Sequence, residues 1–306
     1  MKKEINLDNN DTHLIKTAIT KIEQNNIITR GYSQEELIAN ISFSEMVYLL
    51  LKGNLPSSKE ARMFNHILVS FCDHGVTPPS TQTSRLIISS GSPLNVALAG
   101  GILSFGKKHA GAIEESMKLL QNTIDENIKS ITNSNSNSNN NSNNNNSNNN
   151  SDKESFESVD DLFDDKDIER IANDIVNDYL NNNEMIPGFG HRFHSEDPRG
   201  RKIIELAKKE GCIGIHSKLV LAIEKILFNK KGIHINLDGA NGGVLSDMGF
   251  SSFLGFGIFM IGRIPGIIAH ITEEITDEEE FRKFCQIEDV LYCGSENNHL
   301  NKVNND

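Results

Sequence analysis

Four segments of the 306-residue chain put titratable or hydrogen-bonding side chains inside apolar or glycine-rich surroundings: FCDHGVTPPSTQTSRL (71–86), FGKKHAGAIEES (105–116), MIPGFGHRFHSEDPRGR (185–201) and INLDGANGGVLSDMGF (235–250). A fifth polar group, Arg263, stands in the apolar stretch FSSFLGFGIFMIGRIPGIIAH (250–270). Leaving such a group without a partner or a task costs about 1–3 kcal/mol. Each segment alone has a structural explanation. His109 beside Gly111 could end a helix, Asp238-Gly239 could form an Asx turn, and Asp197-Pro198-Arg199 could start a helix with a capping Asp and Pro at its first position. Together they make a kit of two histidines, a carboxylate and at least two arginines, set in turns whose glycines let the backbone approach a ligand. Arginine forks grip planar carboxylates, and a neutral imidazole can donate near pH 7, so the kit suits acid–base work on a di- or tricarboxylate. H-E-x-x-H, G-x-x-x-x-G-K-[ST], a strand-borne G-x-G-x-x-G and G-x-S-x-G are absent from the sequence, which leaves metal hydrolysis, phosphoryl transfer, hydride transfer and a serine nucleophile without visible machinery.

The elements that must position these residues read as helices. Ser33-x-x-Glu36, Ser42-x-x-Glu45 and Ser57-x-x-Glu60 each have capping-box form, and Gly53 followed by Pro56 stops the run from Glu45 to Lys52. Ile168, Ile171, Ala172, Ile175, Val176, Tyr179 and Leu180 recur at helical spacing, as do Leu219, Ala222, Ile223, Ile226 and Leu227. No convincing run of alternating strand residues appears, so the expected fold class is all-α. Residues 133–151 are almost entirely Asn and Ser and lead into an acidic run, which predicts a disordered surface insert over 132–163.

Charge and composition narrow the classes of partner. A net charge of −12 argues against nucleic acid and anionic lipid. Cys72, Cys212, Cys285 and Cys293 show neither C-x-x-C nor zinc spacing, so no metal site is expected and the thiols suit a reducing compartment. The beginning MKKEINLDNNDTHL resembles neither a signal peptide nor a transit sequence, which makes the cytoplasm the expected location. The stretch 250–270 has about the length of a membrane span, but Arg263, Pro265 and its glycines favour a buried, bent helix.

In this order the segments resemble the citrate synthase family, and its short citryl-CoA lyase-like branch more closely than the long mitochondrial form. The similarity runs from about Ile28 to Gly294, the insert excepted, through ITRGYSQEELIANISFSEMVYLLLKGNLP, DHGVTPPS, LAGGILSFGKKHAGA, IPGFGHR with DPR, NLDG and GRIPGIIAH. The resemblance implies a large helical domain from 1–108 and 239–306, a smaller one from 109–238 that contains the insert, and an active site in the cleft between them. It implies that Asp238 takes a methyl proton from acetyl-CoA while His109 hydrogen-bonds the thioester oxygen, and that His191 holds and protonates the keto oxygen of oxaloacetate. Arg199 and Arg263 match carboxylate clamps, His74 matches a further binder, and Arg282 is the residue left for a third arginine. Coenzyme A would lie along the backbone of Ile186, Pro187, Gly188, Phe189 and Gly190, with Lys231 near a phosphate. A homodimer is implied, with no tightly bound cofactor.

Some positions depart from the long form. Ala110 stands where Gly is common, His191 and Arg199 lie one residue closer together, Thr77 replaces a frequent Asn, and small residues from Gly239 to Gly243 follow Asp238. These features lean toward the lyase-like branch. The expected reaction is condensation of acetyl-CoA with oxaloacetate to citrate and CoA through citryl-CoA. Citryl-CoA cleavage is the alternative, since the same groups serve both directions. A 2-methylcitrate synthase also stays open, because one methylene changes binding by only about 1–3 kcal/mol. A non-catalytic binding module is the alternative from another class.

Overall fold

The computed structural model describes residues 15–139, 159–283 and 285–295. In chain order its elements are β1 (Thr20–Glu23), β2 (Asn26–Thr29), β3 (Tyr32–Ser33), α1 (Gln34–Asn40), α2 (Phe43–Lys52), α3 (Ser58–Phe71), α4 (Pro79–Ser89), α5 (Leu94–Leu103), α6 (Ala112–Asn139), α7 (Asp165–Asn181), α8 (Pro198–Glu210), α9 (Ile215–Lys231), α10 (Leu237–Asp247) and α11 (Ser252–Asp277). The fold is all-α apart from β1–β3, a small antiparallel sheet in which Thr20 pairs with Thr29 and Ile28 with Ser33. Periodicity missed these strands because they are only four, four and two residues long and largely exposed, so they carry no apolar alternation.

Two of the three expected capping boxes form. Ser42 and Ser57 accept bonds from the N–H of Glu45 and Glu60, whose carboxylates bind back to the serine N–H at 2.8 Å in each case. Ser33 begins α1 without a side-chain bond. Gly53 ends α2 at φ 87°, a left-handed conformation that glycine adopts at little cost.

The chain packs into two compact units. Among the described residues, unit 1 comprises 15–74, 105–139 and 159–266, and unit 2 comprises 75–104, 267–283 and 285–295. In unit 1, α10 is buried along almost its whole length and packs against α6, α8 and α9. It can do so because its middle residues are small: a Cβ on Gly242 would sit 3.0 Å from the Ser116 hydroxyl, and one on Gly243 would sit 3.2 Å from Cα of Ser217. Around it lie Met63, Phe64, Ile67 and Phe71 of α3, Ile113 and Met117 of α6, and Leu219 and Val220 of α9. The far end of α10 is anchored by Asp247, whose carboxylate accepts from the N–H groups of Gly214, His216 and Ser217 and so caps α9 from a distance.

Both ends of the expected insert fall within described elements. Helix α6 continues to Asn139, and residues 159–162 form a turn of 3₁₀ helix that delivers Phe163, 7% exposed, to the core. Burial of that one aromatic ring anchors a segment whose composition alone looks unfoldable. Residues 140–158 of the expected insert lie outside the described residues. Helix α11 is long and apolar enough to cross a membrane by length and composition. It carries Pro265 in its interior and a buried arginine, Arg263, and its residues to Gly266 belong to unit 1.

In unit 2, α4 and α5 pack closely through Gly100 and Gly101. Arg85 of α4 lies among Glu273 (2.6 Å), Glu274 (2.6 Å) and Glu278 (3.0 Å).

Candidate active site

Six of the sequence-predicted site residues, His74, His109, His191, Arg199, Asp238 and Arg263, lie in unit 1. Asp238 sits in the first turn of α10, where Asn236 caps the helix by accepting from the N–H groups of Asp238 (3.0 Å) and Gly239 (3.1 Å). The same Asn236 donates from its side-chain amide to the carbonyl of Gly190 (2.8 Å), and its backbone N–H donates to the carbonyl of Gly188 (3.0 Å). The loop before His191 is thereby fastened to the residues before Asp238. The contact is so close that a Cβ on Gly239 would lie 2.2 Å from the Gly188 oxygen, and Gly188 itself has φ 90°. Glycine is required on both sides of this crossing.

His191 is held in one tautomer. Its Nδ1 accepts from the N–H of Phe193 (3.1 Å) and of His194 (3.0 Å), so the ring proton resides on Nε2, which remains a donor. Its ring meets that of His74 at 5.5 Å, nearly perpendicular, and that of His194 at 4.7 Å, tilted by 34°. His109 lies in a tight hairpin in which it exchanges backbone bonds with Gly106 (2.9 and 2.8 Å), and its ring packs 5.3 Å from Phe105. Arg192 donates to the carbonyl of Lys108 (3.2 Å) and ties this hairpin to the His191 turn.

The two clamp candidates are fixed differently. Arg199 is gripped by the buried carboxylate of Asp197, which takes its Nε (3.1 Å) and Nη2 (3.0 Å) as well as its backbone N–H. Asp197 thus caps α8 and aligns the guanidinium as well. Arg263, 4% exposed, donates from Nε to the carbonyl of Phe71 (2.7 Å) and lies over the ring of Phe259.

Burial and these cations displace the titrations. Desolvation pushes Asp238 up to about 6, against the pull of Arg199 and Arg263. His74 is lowered first by burial and then by Arg199, Arg263 and His191. His109 is lowered by burial and then by Arg263, Arg192 and His74. Burial also lowers His191, with Asp197 opposing and His194 and Arg199 adding to the shift. The six residues therefore share one electrostatic neighbourhood, holding neutral imidazoles and a carboxyl able to take or give a proton near neutrality.

Of the remaining predicted residues, the 186–190 loop adjoins the site, whereas Arg282 does not belong to unit 1. Ile186 and Phe189 bury their side chains in the core, so with Pro187, Gly188 and Gly190 they form a packed loop whose contribution to any ligand is through its backbone. Lys231 is exposed in the last turn of α9. Arg282 belongs to unit 2, where its guanidinium pairs with the buried Glu274 (Nη2 at 2.8 Å, and Nε) and with Glu278 (3.0 Å). These hydrogen bonds, that to Glu274 first, hold Arg282 above the ordinary arginine range. Arg192, His194 and Asn236 were missed as site residues. The H-R-F-H and N-L-D spacings that place them are visible in the sequence.

Comparisons with known proteins bear on the family and the fold. The family model for the citrate synthase C-terminal domain matches residues 9–66 and 57–283. The citrate synthase of Heyndrickxia coagulans is 28% identical over 285 residues, which cover 89% of this chain and 63% of that protein. The chain thus spans about three fifths of the length of the curated relatives it matches. Among solved structures, the citryl-CoA lyase from Hydrogenobacter thermophilus is 34% identical at a TM-score of 0.75, covering 94% of this chain and 98% of the other. A citrate synthase from Thermotoga maritima shares the fold at a TM-score of 0.52 and 15% identity, covering 97% of this chain and 98% of that one.

Proposed function

Because the chain belongs to the citrate synthase family, in its citryl-CoA lyase-like branch, we propose that this enzyme works the carbon–carbon bond between citryl-CoA and the pair acetyl-CoA plus oxaloacetate, in the cleaving direction. The observation that carries the direction is 34% identity to a citryl-CoA lyase over nearly the whole of both chains. Condensation, with hydrolysis onward to citrate and CoA, is the second reading and is favoured by the citrate synthases among the curated relatives.

In either direction the residues divide the work in the same way. Asp238 exchanges a proton with the acetyl carbon. Its acid, with a pKa of about 6, is far closer to working pH than an ordinary aspartate near 3.8, so the carboxyl can be protonated or ionised as the direction demands. A carboxylate alone is too weak to deprotonate a carbon beside a thioester, so the developing oxyanion needs a fixed donor, and His109 supplies it. His191 holds the keto or hydroxyl oxygen of the oxoacid through Nε2–H. With Nδ1 occupied by two N–H donors, complete transfer of that proton would leave an imidazolate. This geometry therefore favours donation of a hydrogen bond over the full protonation expected from the sequence, and the oxygen's own proton, lost in cleavage and gained in condensation, is exchanged with solvent water. Arg199, aligned by Asp197, and Arg263 take the carboxylates. Two copies of the chain, a cytoplasmic setting, and CoA along the 186–190 backbone with Lys231 belong to the same reading.

The test supplies purified protein with citryl-CoA and follows oxaloacetate, then with acetyl-CoA plus oxaloacetate and follows free thiol. Oxaloacetate in the first mixture without thiol in the second is the result expected of a lyase. Thiol release in the second moves the assignment to synthase, and silence in both overturns the reading.

A further inference from the structure

We propose that His194 is a positioning residue that holds His191 in its working orientation by stacking ring on ring. The proposal rests on the reading of His191 as the donor to the oxoacid oxygen. Two features separate this role from ordinary packing. The first is that the bonds from the N–H groups of Phe193 and His194 to Nδ1 decide which nitrogen carries the proton, yet leave the imidazole plane free to rock about the line of those bonds. A planar group against the face removes that freedom, and the His194 ring, 4.7 Å away and tilted by 34°, is such a group. The perpendicular His74 ring at 5.5 Å restrains another side.

The second feature is that His194 is itself braced. Phe193, 87% exposed, sets its ring edge-on to His194 at 5.1 Å and 85°. An apolar ring kept this open to solvent lies outside the core and extends a row of rings, Phe193, His194, His191 and His74, that leads inward to the site. A proton relay from His194 through His191 is disfavoured by the same geometry, since the Nδ1 lone pair that would receive the proton is already bonded to two backbone donors.

The experiment compares His194→Ala, His194→Phe and His194→Leu in the full chain by ¹⁵N-histidine NMR and by steady-state kinetics with citryl-CoA, using His191→Gln to assign the His191 resonances. All variants are expected to keep His191 as the Nε2–H tautomer, because the backbone donors to Nδ1 survive, whereas ¹⁵N relaxation of the His191 ring shows added ring motion in His194→Ala and His194→Leu and none in His194→Phe. The Ala variant should lose about tenfold in kcat, about 1.4 kcal/mol, with KM within about twofold of wild type, and Phe should restore most of the loss. Unchanged His191 ring motion with normal kcat in the Ala variant, or a Phe variant as impaired as Ala, overturns the proposal. If the Ala variant fails to fold, the Phe and Leu pair decides the matter, because both fill the space and only one has a ring. Should wild type be inactive on every substrate pair, the functional reading fails while the NMR comparison still judges His194.

Discussion

Unit 1 and unit 2 each bury ionic groups, and Asp238 in unit 1 is treated in the opposite way from Glu274 in unit 2, although unit 1 also holds the paired Asp197 and Arg199. In unit 2, Glu274 is 2% exposed and is bracketed by Arg85 at 2.6 Å and Arg282 at 2.8 Å, while Glu273 and Glu278 complete the cluster. Every charge there faces an opposite one, so the cluster is built to hold elements together. In unit 1, Asp238 is kept largely from water and feels Arg199 and Arg263 only at a distance, and its titration rises to about 6. Beside it His74, His109 and His191 are all lowered by burial. Groups whose protonation is poorly matched to their surroundings store free energy that chemistry can use, whereas fully paired groups do not.

The same substitution, carboxylate to amide, should therefore have opposite effects on stability at Asp238 and at Glu274. At Asp238, the Asn variant removes the proposed proton carrier and should lower turnover by about 10²–10⁴. It should also stabilise the fold at pH 7. The sign follows from the raised pKa: between about 3.8 and 6 the folded state binds the proton more tightly than the unfolded one, so stability falls as pH rises through that window and stays reduced above it. After allowance for partial solvent contact, Asp238→Asn should gain about 2 kcal/mol at pH 7 and almost nothing at pH 4, read by urea unfolding at both. Loss of stability at pH 7 would break the comparison. At Glu274, the Gln variant leaves Arg85 and Arg282 short of a counter-charge and should lose about 3 kcal/mol in the same assay. A neutral result there would mean that unit 2 is no more dependent on its ion pairs than an exposed surface.

A pH profile sharpens the contrast at smaller cost to the protein. If the enzyme cleaves, Asp238 must start as the acid, and kcat/KM falls about tenfold per unit as pH rises above about 6. If it condenses, Asp238 must start ionised, and the fall comes below about 6 instead. Measuring both directions with the same preparation identifies the group, because the two limbs must share one pKa. Limbs that do not meet near that value would assign the titration to another residue.

Much of this was legible in the sequence, and the parts that were not share a cause. Capping boxes, apolar periodicity and the five motif segments are local, so Ser42 with Glu45, the stripe from Ile168 to Leu180 and the H-A-G, G-H-R, D-P-R and L-D-G groups can be read directly. What could not be read depends on chain-distant geometry. Asn236 bonds to Gly190, and Asp247 caps a helix that begins more than thirty residues earlier. Arg282, expected as a third carboxylate-binding arginine, has partners Glu274 and Glu278 on the end of α11 and just beyond it, which local sequence did not disclose. The strands β1–β3 escaped because they are exposed and short. Composition alone likewise gave no warning that Phe163, at the edge of a polar tract, would be buried.

The smallest predicted effect concerns Ala110, beside the site histidine. It has φ 72°, a left-handed conformation that costs a residue with a Cβ about 1–2 kcal/mol and glycine almost nothing. The turn needs this conformation because the 106–111 hairpin reverses within four residues, with Gly106 and His109 exchanging both backbone bonds and Gly111 N–H returning to Gly106. Ala110→Gly should relieve the strain, while the greater freedom of glycine in the unfolded chain returns about 0.4–1 kcal/mol. A net gain of about 0.5 kcal/mol, seen as a rise of one or two degrees in Tm, is expected. Activity should stay within about threefold of wild type, since the bonds that fix His109 are to the backbone and survive the change. If the glycine variant is instead less stable, the alanine methyl is packed usefully, and the strain in this turn is offset by contacts that the backbone geometry does not disclose.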